Sequence, residues 1–242
     1  MSRHSTAAFS RRSTTVLSVT AFVCTLASWR WLLGQSLPPL LNAVCIVGAV
    51  LLVHPVAWVG RILLDLEPTA PRAVRVTAVV HAVVMLLLGA GTIKAIQTAD
   101  TWRGLSLPIP RGAAMVGVIV TGVLSALTVV NLALSGLGAP FAVALSRRLA
   151  TGWLYSRTRN PMVLAFLAWL VTVGLWLQSA LFLVWALIVP APALLLYVRV
   201  FEERELDIRF GEAYRHYKAR TSFLWPGKAA PPAPSRAGGA AA

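Results

Sequence analysis

The sequence predicts an all-α, polytopic transmembrane bundle of about six spans, with a C-terminal helical hairpin and a cytoplasmic C-terminal segment. Three observations carry this. Of 242 residues, 57% are hydrophobic and only 12% charged, about half the charged fraction of a soluble domain, which is roughly 25%. The mean hydropathy is +0.73. The apolar residues also fall into long runs, most of them near the roughly 20 residues that a helix needs to cross a ~30 Å hydrocarbon core.

The runs cover 14–34, 40–59, 74–97, 112–135, 161–178 and 180–198. The last two are slightly short and are joined only by Gln178 and Ser179, so they form a tight helical hairpin. Pro190 and Pro192 interrupt the sixth run and are expected to kink it. Asn131 lies in the fourth run and suits a hydrogen bond between helices. His54 and His81 lie in the second and third runs, with no paired spacing. A polar residue at such depth is a functional candidate by default, set against a structural role.

Orientation follows from the connections. Arg3, Arg11 and Arg12 precede the first run, and Arg61, Arg72 and Arg75 lie about the second connection. Arg147, Arg148, Arg157 and Arg159 occupy the fourth. Arg199, Arg204, Arg209, Arg215, Lys218, Arg220, Lys228 and Arg236 follow the last run. The other side carries only Lys94, Arg103 and Arg111, and Arg30 sits near a helix end where it can snorkel. The split is 18 against 3, and the positive-inside rule places both termini in the cytoplasm, in a plasma or inner membrane. Ser10-Arg11-Arg12-Ser13 resembles a twin-arginine export signal but reads as the flank of the first span, because no soluble domain follows.

The net charge of +14 suggests nucleic acid at first sight. The cations cluster between apolar runs instead of forming one face, so no nucleic-acid partner is expected. Cys24 and Cys45 lie inside apolar runs and read as small hydrophobes. No Cys/His spacing suits a metal. The chain divides into a tail at 1–13, a four-helix membrane region at 14–135, a third region at 136–228 and a disordered Ala/Pro/Gly-rich tail at 229–242.

Chemistry concentrates in the third region. Five of the eight acidic residues fall within 202–212, and Glu202 and Glu203 lie about one turn past the last run. Carboxylates there are costly unless solvated or paired. One reading is a solvated helix with i,i+4 pairs such as Glu205 with Arg209. Gly211 is expected to interrupt that helix. Tyr214 and Tyr217 then share one face. Tyrosines beside carboxylates suit a ligand with a flat ring and a cation, and tyrosines of an interfacial belt have the same pattern. Upstream, Asn160 fits as an N-cap and Pro161 as the first residue of the fifth span. Arg159 fits either a carboxylate partner or a positive-inside flank.

The order of these pieces is more specific than any one of them. Arg159-Asn160-Pro161-Met162 opens a hairpin. Glu202-Glu203, then Phe210-Gly211-Glu212-Ala213-Tyr214, then Tyr217-Lys218, and finally Pro226 follow. Over about 149–226 this resembles the isoprenylcysteine carboxyl methyltransferase family. The family's pattern is an Arg-His-Pro-x-Tyr opening, a hairpin, a Glu-Glu pair and Phe-Gly-x-x-Tyr-x-x-Tyr. The resemblance implies a membrane methyltransferase whose cofactor, S-adenosylmethionine, is enclosed by the hairpin and the C-terminal segment. A lipophilic or small thiol or carboxyl acceptor would enter from the bilayer. It further implies that Tyr155, Asn160, Pro161 and Met162 form part of the cofactor pocket. Glu202 or Glu203 would take a polar group of the cofactor, and Tyr214 and Tyr217 would close over it. Arg159, Arg199 and Glu203 are the implied catalytic set, with Arg199 toward an anionic group of the acceptor.

Asn160, Val163 and Ala165 stand where the family has histidine, tyrosine and glycine. Asparagine keeps a hydrogen-bonding side chain but cannot titrate. Two other readings are a membrane reductase of the steroid 5-alpha-reductase type, which would bind NADPH, and a non-enzymatic membrane protein with a degenerate methyltransferase module. The former would favour extra basic residues for a 2′-phosphate.

Overall fold

The computed structural model describes residues 3–99, 106–136 and 149–227. Asp100, Arg103, Arg147, Arg148, Lys228, Arg236 and the 229–242 tail lie outside them. The described residues are helical, with isolated bridges and no strand. In chain order the helices are α1 (Arg3–Leu33), α2 (Pro39–Ala43), α3 (Val53–Leu66), α4 (Ala70–Thr98), α5 (Arg111–Gly136), α6 (Pro161–Trp176), α7 (Ala180–Ile188), α8 (Pro190–Tyr197), α9 (Glu203–Phe210) and α10 (Glu212–Arg220). Helix α1 begins well before residue 14, so the expected N-terminal tail is helical from Arg3 onward.

Among the described residues, three helical stretches are long and apolar enough to cross a membrane: Ala70–Thr98, Arg111–Thr128 and Ala180–Phe210. The pair Pro39–Ala49 and Val53–Leu66, bent by 40°, makes a fourth if taken as one span. Val19–Leu33 and Pro161–Trp176 are apolar helices of shorter length in the first and fifth runs. The proline pair does not divide the sixth run. Helix α7 ends at Ile188, Pro190 opens α8, and the stretch runs on as one span-length unit.

The outward faces are apolar. On α5, Val116, Ile119, Val120 and Val123 recur at i, i+3, i+4 and i+7 and are all exposed. On α3, Trp58, Val59 and Ile62 are exposed while Val53, Ala57, Gly60 and Leu64 face inward. Apolar surface this continuous is costly in water and costs nothing in hydrocarbon. Small residues bring the helices close: a methyl on Gly60 would lie 2.7 Å from the Phe201 ring, and one on Gly91 would lie 2.4 Å from Val50. A π-helical turn at Val44–Ala49 joins α2 toward α3, and the Ile46 carbonyl within it accepts a 2.9 Å bond from the Trp185 indole. Such turns free a carbonyl from the regular ladder, and a buried indole N–H needs an acceptor.

The connections segregate to two ends. At one end the Gln178 carbonyl accepts from the Leu107 N–H at 3.0 Å, and the Gln178 amide donates to Ile109 O at 2.8 Å. Gln178 itself takes a positive φ of 54° in the hairpin turn, and the Ser179 side chain caps α7. At the other end Arg61 donates to Val200 O and Arg204 pairs with Asp65. The second connection and the start of the C-terminal segment therefore meet.

Lys94 is a correction to the loop-charge reading. It lies within α4 and is 1% exposed. Its ammonium donates to Leu32 O at 2.9 Å, Gln35 O at 2.6 Å and Gln97 Oε1 at 2.8 Å. It thus satisfies carbonyls at the C-terminus of α1, where a cation is favoured. Lys94→Met is expected to destabilise the protein by about 3 kcal/mol, because it leaves buried acceptors unmet. Thermal melts in detergent check this, and an unchanged melting temperature would contradict it.

Candidate functional site

The site begins with the chain before α6. A 3₁₀ turn at Trp153–Ser156 buries Tyr155. Residues 157–160 are then tied to 222–227. Arg159 N–H donates to Ser222 O at 2.9 Å, and Gly227 N–H donates to Arg157 O at 2.9 Å. The Ser222 hydroxyl donates to Arg157 O at 3.0 Å and also contacts Trp225 O. Asn160 occupies the N-cap position of α6, but its side chain makes no capping bond. Its amide donates instead to Phe223 O at 2.8 Å. This corrects the capping expectation: the longer-range carbonyl wins, and Asn160 fastens the C-terminal segment to the start of α6. Pro161 takes the first helical position as its fixed φ favours.

Arg159 is the hub of the join. One guanidinium nitrogen donates to Lys218 O at 2.7 Å, and another pairs with Glu203 Oε1 at 3.0 Å. Both side chains are only 12% exposed. Lys218 Nζ pairs with Glu203 Oε2 at 2.5 Å. The Phe223 ring carries Arg199 at 4.5 Å and Arg159 at 5.8 Å from its centroid, within cation–π range.

Gly211, at φ 51°, breaks α9 from α10 as expected and turns α10 back. Tyr214 and Tyr217 are buried, with ring centroids 6.5 Å apart. Tyr217 hydroxyl donates to Tyr155 O at 2.6 Å, so it holds the 3₁₀ turn instead of facing an opening. Burial pushes the Tyr214 phenol up, and the Glu203 charge adds to this while Arg159 opposes it. Burial likewise raises Tyr155, with Glu202 adding, and raises Tyr217, with Tyr155 adding. All three remain neutral phenols that can donate hydrogen bonds.

Glu205 and Arg209 pair at 2.5 Å, as the i,i+4 spacing predicts. Both side chains are almost fully buried, so this stretch is not the solvated helix of the alternative reading.

The two adjacent glutamates have opposite situations. Glu203 is held by Arg159 and Lys218. Glu202 makes no close ion pair; the His81 ring nitrogen Nδ1 lies 3.7 Å away. The Glu202 side chain is 25% exposed.

A cavity of about 260 Å³ opens among Arg61, Arg199, Glu203, Arg204, Asp207, Tyr214, Arg215 and Lys218. Of the ten predicted site residues, Arg199, Glu203 and Tyr214 line it. Tyr155, Asn160, Glu202 and Tyr217 do not line it, nor does Arg159, which is tied to the lining residues Glu203 and Lys218. Pro161 and Met162 open α6, and neither lines the cavity. Sequence reasoning missed Arg61, Arg204, Asp207, Arg215 and Lys218 as lining residues. The i,i+4 pair Arg61–Asp65 and the i,i+3 pairs Arg204–Asp207 and Arg215–Glu212 were visible as spacings. That Asp65 and Asp207 link them into one chain was not. Arg199 alone among the five cations lining the cavity makes no carboxylate pair. Among the described residues no three His, Cys, Asp or Glu side chains gather to hold a metal ion.

No family model, curated protein or solved structure matches the chain.

Proposed function

We propose that the chain is an S-adenosylmethionine-dependent methyltransferase, set in a plasma or inner membrane by about six spans with both termini cytoplasmic. The carrying observation is the unlike state of two neighbouring glutamates: Glu203 lines the cavity and is bound by Arg159 and Lys218, while Glu202, one residue before it, has no close cation, and the cavity holds an uncommitted Arg199. That donor set suits a zwitterionic ligand that also has a flat ring and a sulfonium. Of the motif residues, Arg159 and Asn160 both lie against Phe223, and Arg159 also pairs with Glu203.

When bound, S-adenosylmethionine supplies an activated methyl that passes to an acceptor anion as the sulfur–carbon bond breaks. The protein's share is positioning and exclusion of water. Glu202 takes a cationic or hydroxyl group of the cofactor, and Tyr214 lies against it. Arg199, backed by Phe223, holds the anionic group of a lipophilic or small thiol or carboxyl acceptor. Glu203 fixes Arg159 and Lys218 and so keeps the wall closed. No general base is needed for a carboxylate or thiolate acceptor. At about 260 Å³ the cavity is below the ~300–1,000 Å³ usual for ligand pockets. A bound cofactor would need space beyond it, with Tyr214 and Glu202 as the residues that would hold its ring and polar group.

One observation favours a second reading. Five cations line the cavity, and a basic cluster suits the 2′-phosphate of NADPH. Four of the five are already bonded to carboxylates, which weakens that case. The test is incorporation of label from methyl-labelled S-adenosylmethionine into prenylcysteine, fatty-acid and small-thiol acceptors by purified protein in nanodiscs. NADPH oxidation by the same sample with lipophilic enones is followed in parallel. Methyl transfer is the expected result; NADPH oxidation alone supports the reductase. Activity with neither, in well-folded protein, favours a non-enzymatic membrane protein.

A further inference from the structure

The first half of the chain contributes a polar group to this region. His81, on α4, is largely buried, with a side chain 13% exposed. Its Nδ1 is 3.1 Å from the Tyr197 hydroxyl and 3.7 Å from Glu202 Oε1. The imidazole stands edge-on to Tyr197, with centroids 6.1 Å apart at 67°. Tyr197 is itself fixed, fully buried and stacked on Phe201 at 5.5 Å.

The backbone explains why Tyr197 and Glu202 reach the same histidine. They are five residues apart, and in an α-helix such residues diverge by about 140° around the axis. Here Val198–Glu202 forms a π-helical turn. Its wider, i→i+5 winding brings residues five apart much closer to one line. The Glu202 side chain is carried round to the Tyr197 face, toward α4. Two of the three groups sit on this irregular turn or at its edge, and the third comes from a helix more than a hundred residues earlier. Helix packing alone requires none of these polar atoms. A phenylalanine and a leucine would fill the same space without burying a histidine and a phenol at the edge of a span.

We infer that His81 is a positioning residue of the site: anchored by the Tyr197 hydroxyl, it holds the Glu202 side chain in place. This rests on the methyltransferase reading as far as the ligand is concerned. The coupling of His81 to Glu202 can be measured without any ligand. At 3.7 Å the contact is longer than a hydrogen bond, the usual state of a site without ligand, where such bonds are often long and tighten only in the complex. The N-terminal helices thereby complete a site whose other groups come mostly from the last third of the chain.

The test has two parts. In nanodiscs at neutral pH, imidazole ¹⁵N signals are recorded for ¹⁵N-histidine-labelled protein, with the His81 signals assigned by their loss in His81→Asn. They are expected to shift in Glu202→Gln and in Tyr197→Phe, and to stay in place in Glu203→Gln. Unmoved His81 signals in Glu202→Gln overturn the inference. Calorimetry with S-adenosylmethionine then compares His81→Leu with His81→Asn, whose amide nitrogen reaches close to the Nδ1 position. His81→Leu is expected to bind about tenfold more weakly, the effect of one hydrogen bond to a charge, and His81→Asn to bind nearly as wild type. Equal binding by His81→Leu and wild type also overturns it. If wild type binds no S-adenosylmethionine, the function reading fails, and the ¹⁵N result alone decides whether His81 and Glu202 are coupled.

Discussion

Glu202→Gln is expected to weaken S-adenosylmethionine binding by about 10- to 100-fold, while the melting temperature barely changes. The first half follows from the charge. A carboxylate that meets a cationic or hydroxyl group of a ligand makes a charge-assisted hydrogen bond, about 1.5–3 kcal/mol in a site shielded from water. That converts to roughly one or two factors of ten. The second half follows from the unliganded contacts. Glu202 makes no ion pair closer than its 3.7 Å approach to His81. Glutamine is isosteric and breaks no close ion pair, so folding loses little. Calorimetry and thermal melts on one preparation check both halves. A large fall in melting temperature with intact binding would reverse the assignment of the two glutamates.

Glu203→Ala is expected to behave in the opposite way, losing about 3 kcal/mol of stability. Glu203 and Arg159 are each 12% exposed at 3.0 Å, and the arginine also donates to Lys218 O. Removing the carboxylate leaves a buried guanidinium without its counter-charge, which costs more than the pair itself contributes. Arg159 also joins the start of α6 to α10 and Phe223, so limited proteolysis should reach 221–227 sooner in the variant. Lys218→Met is the contrast. Its side chain is 45% exposed, and a solvent-facing pair contributes about 0–1 kcal/mol. Equal melting temperatures for Glu203→Ala and wild type would contradict the hub.

What was legible in the sequence is what short spacing encodes. The helical class, Pro161 at the first turn of α6, the break at Gly211 and the Glu205–Arg209 pair all depend on residues within five positions. The hairpin at Gln178–Ser179 was visible because only two residues join two apolar runs. Long-range partners were not legible. Asn160 at the head of α6 reads as a cap, yet a carbonyl 63 residues away takes its amide. Lys94 reads as a loop cation, yet acceptors from the end of α1 make its burial favourable. Tyr217 reads as part of an aromatic wall, yet the Tyr155 carbonyl captures its hydroxyl. Glu202 and Glu203 are indistinguishable as letters. A π-helical turn and the placement of Arg159 separate a free carboxylate from a fixed one. Six runs read as six spans, and three or four of them have span-length helices among the described residues.

The most direct test of the central claim is a calorimetric titration of the purified wild-type protein, in nanodiscs, with S-adenosylmethionine. Saturable one-site binding, competed by S-adenosylhomocysteine and weakened about 10- to 100-fold in Glu202→Gln, is the predicted result. Folded wild-type protein that takes up no S-adenosylmethionine would contradict the account.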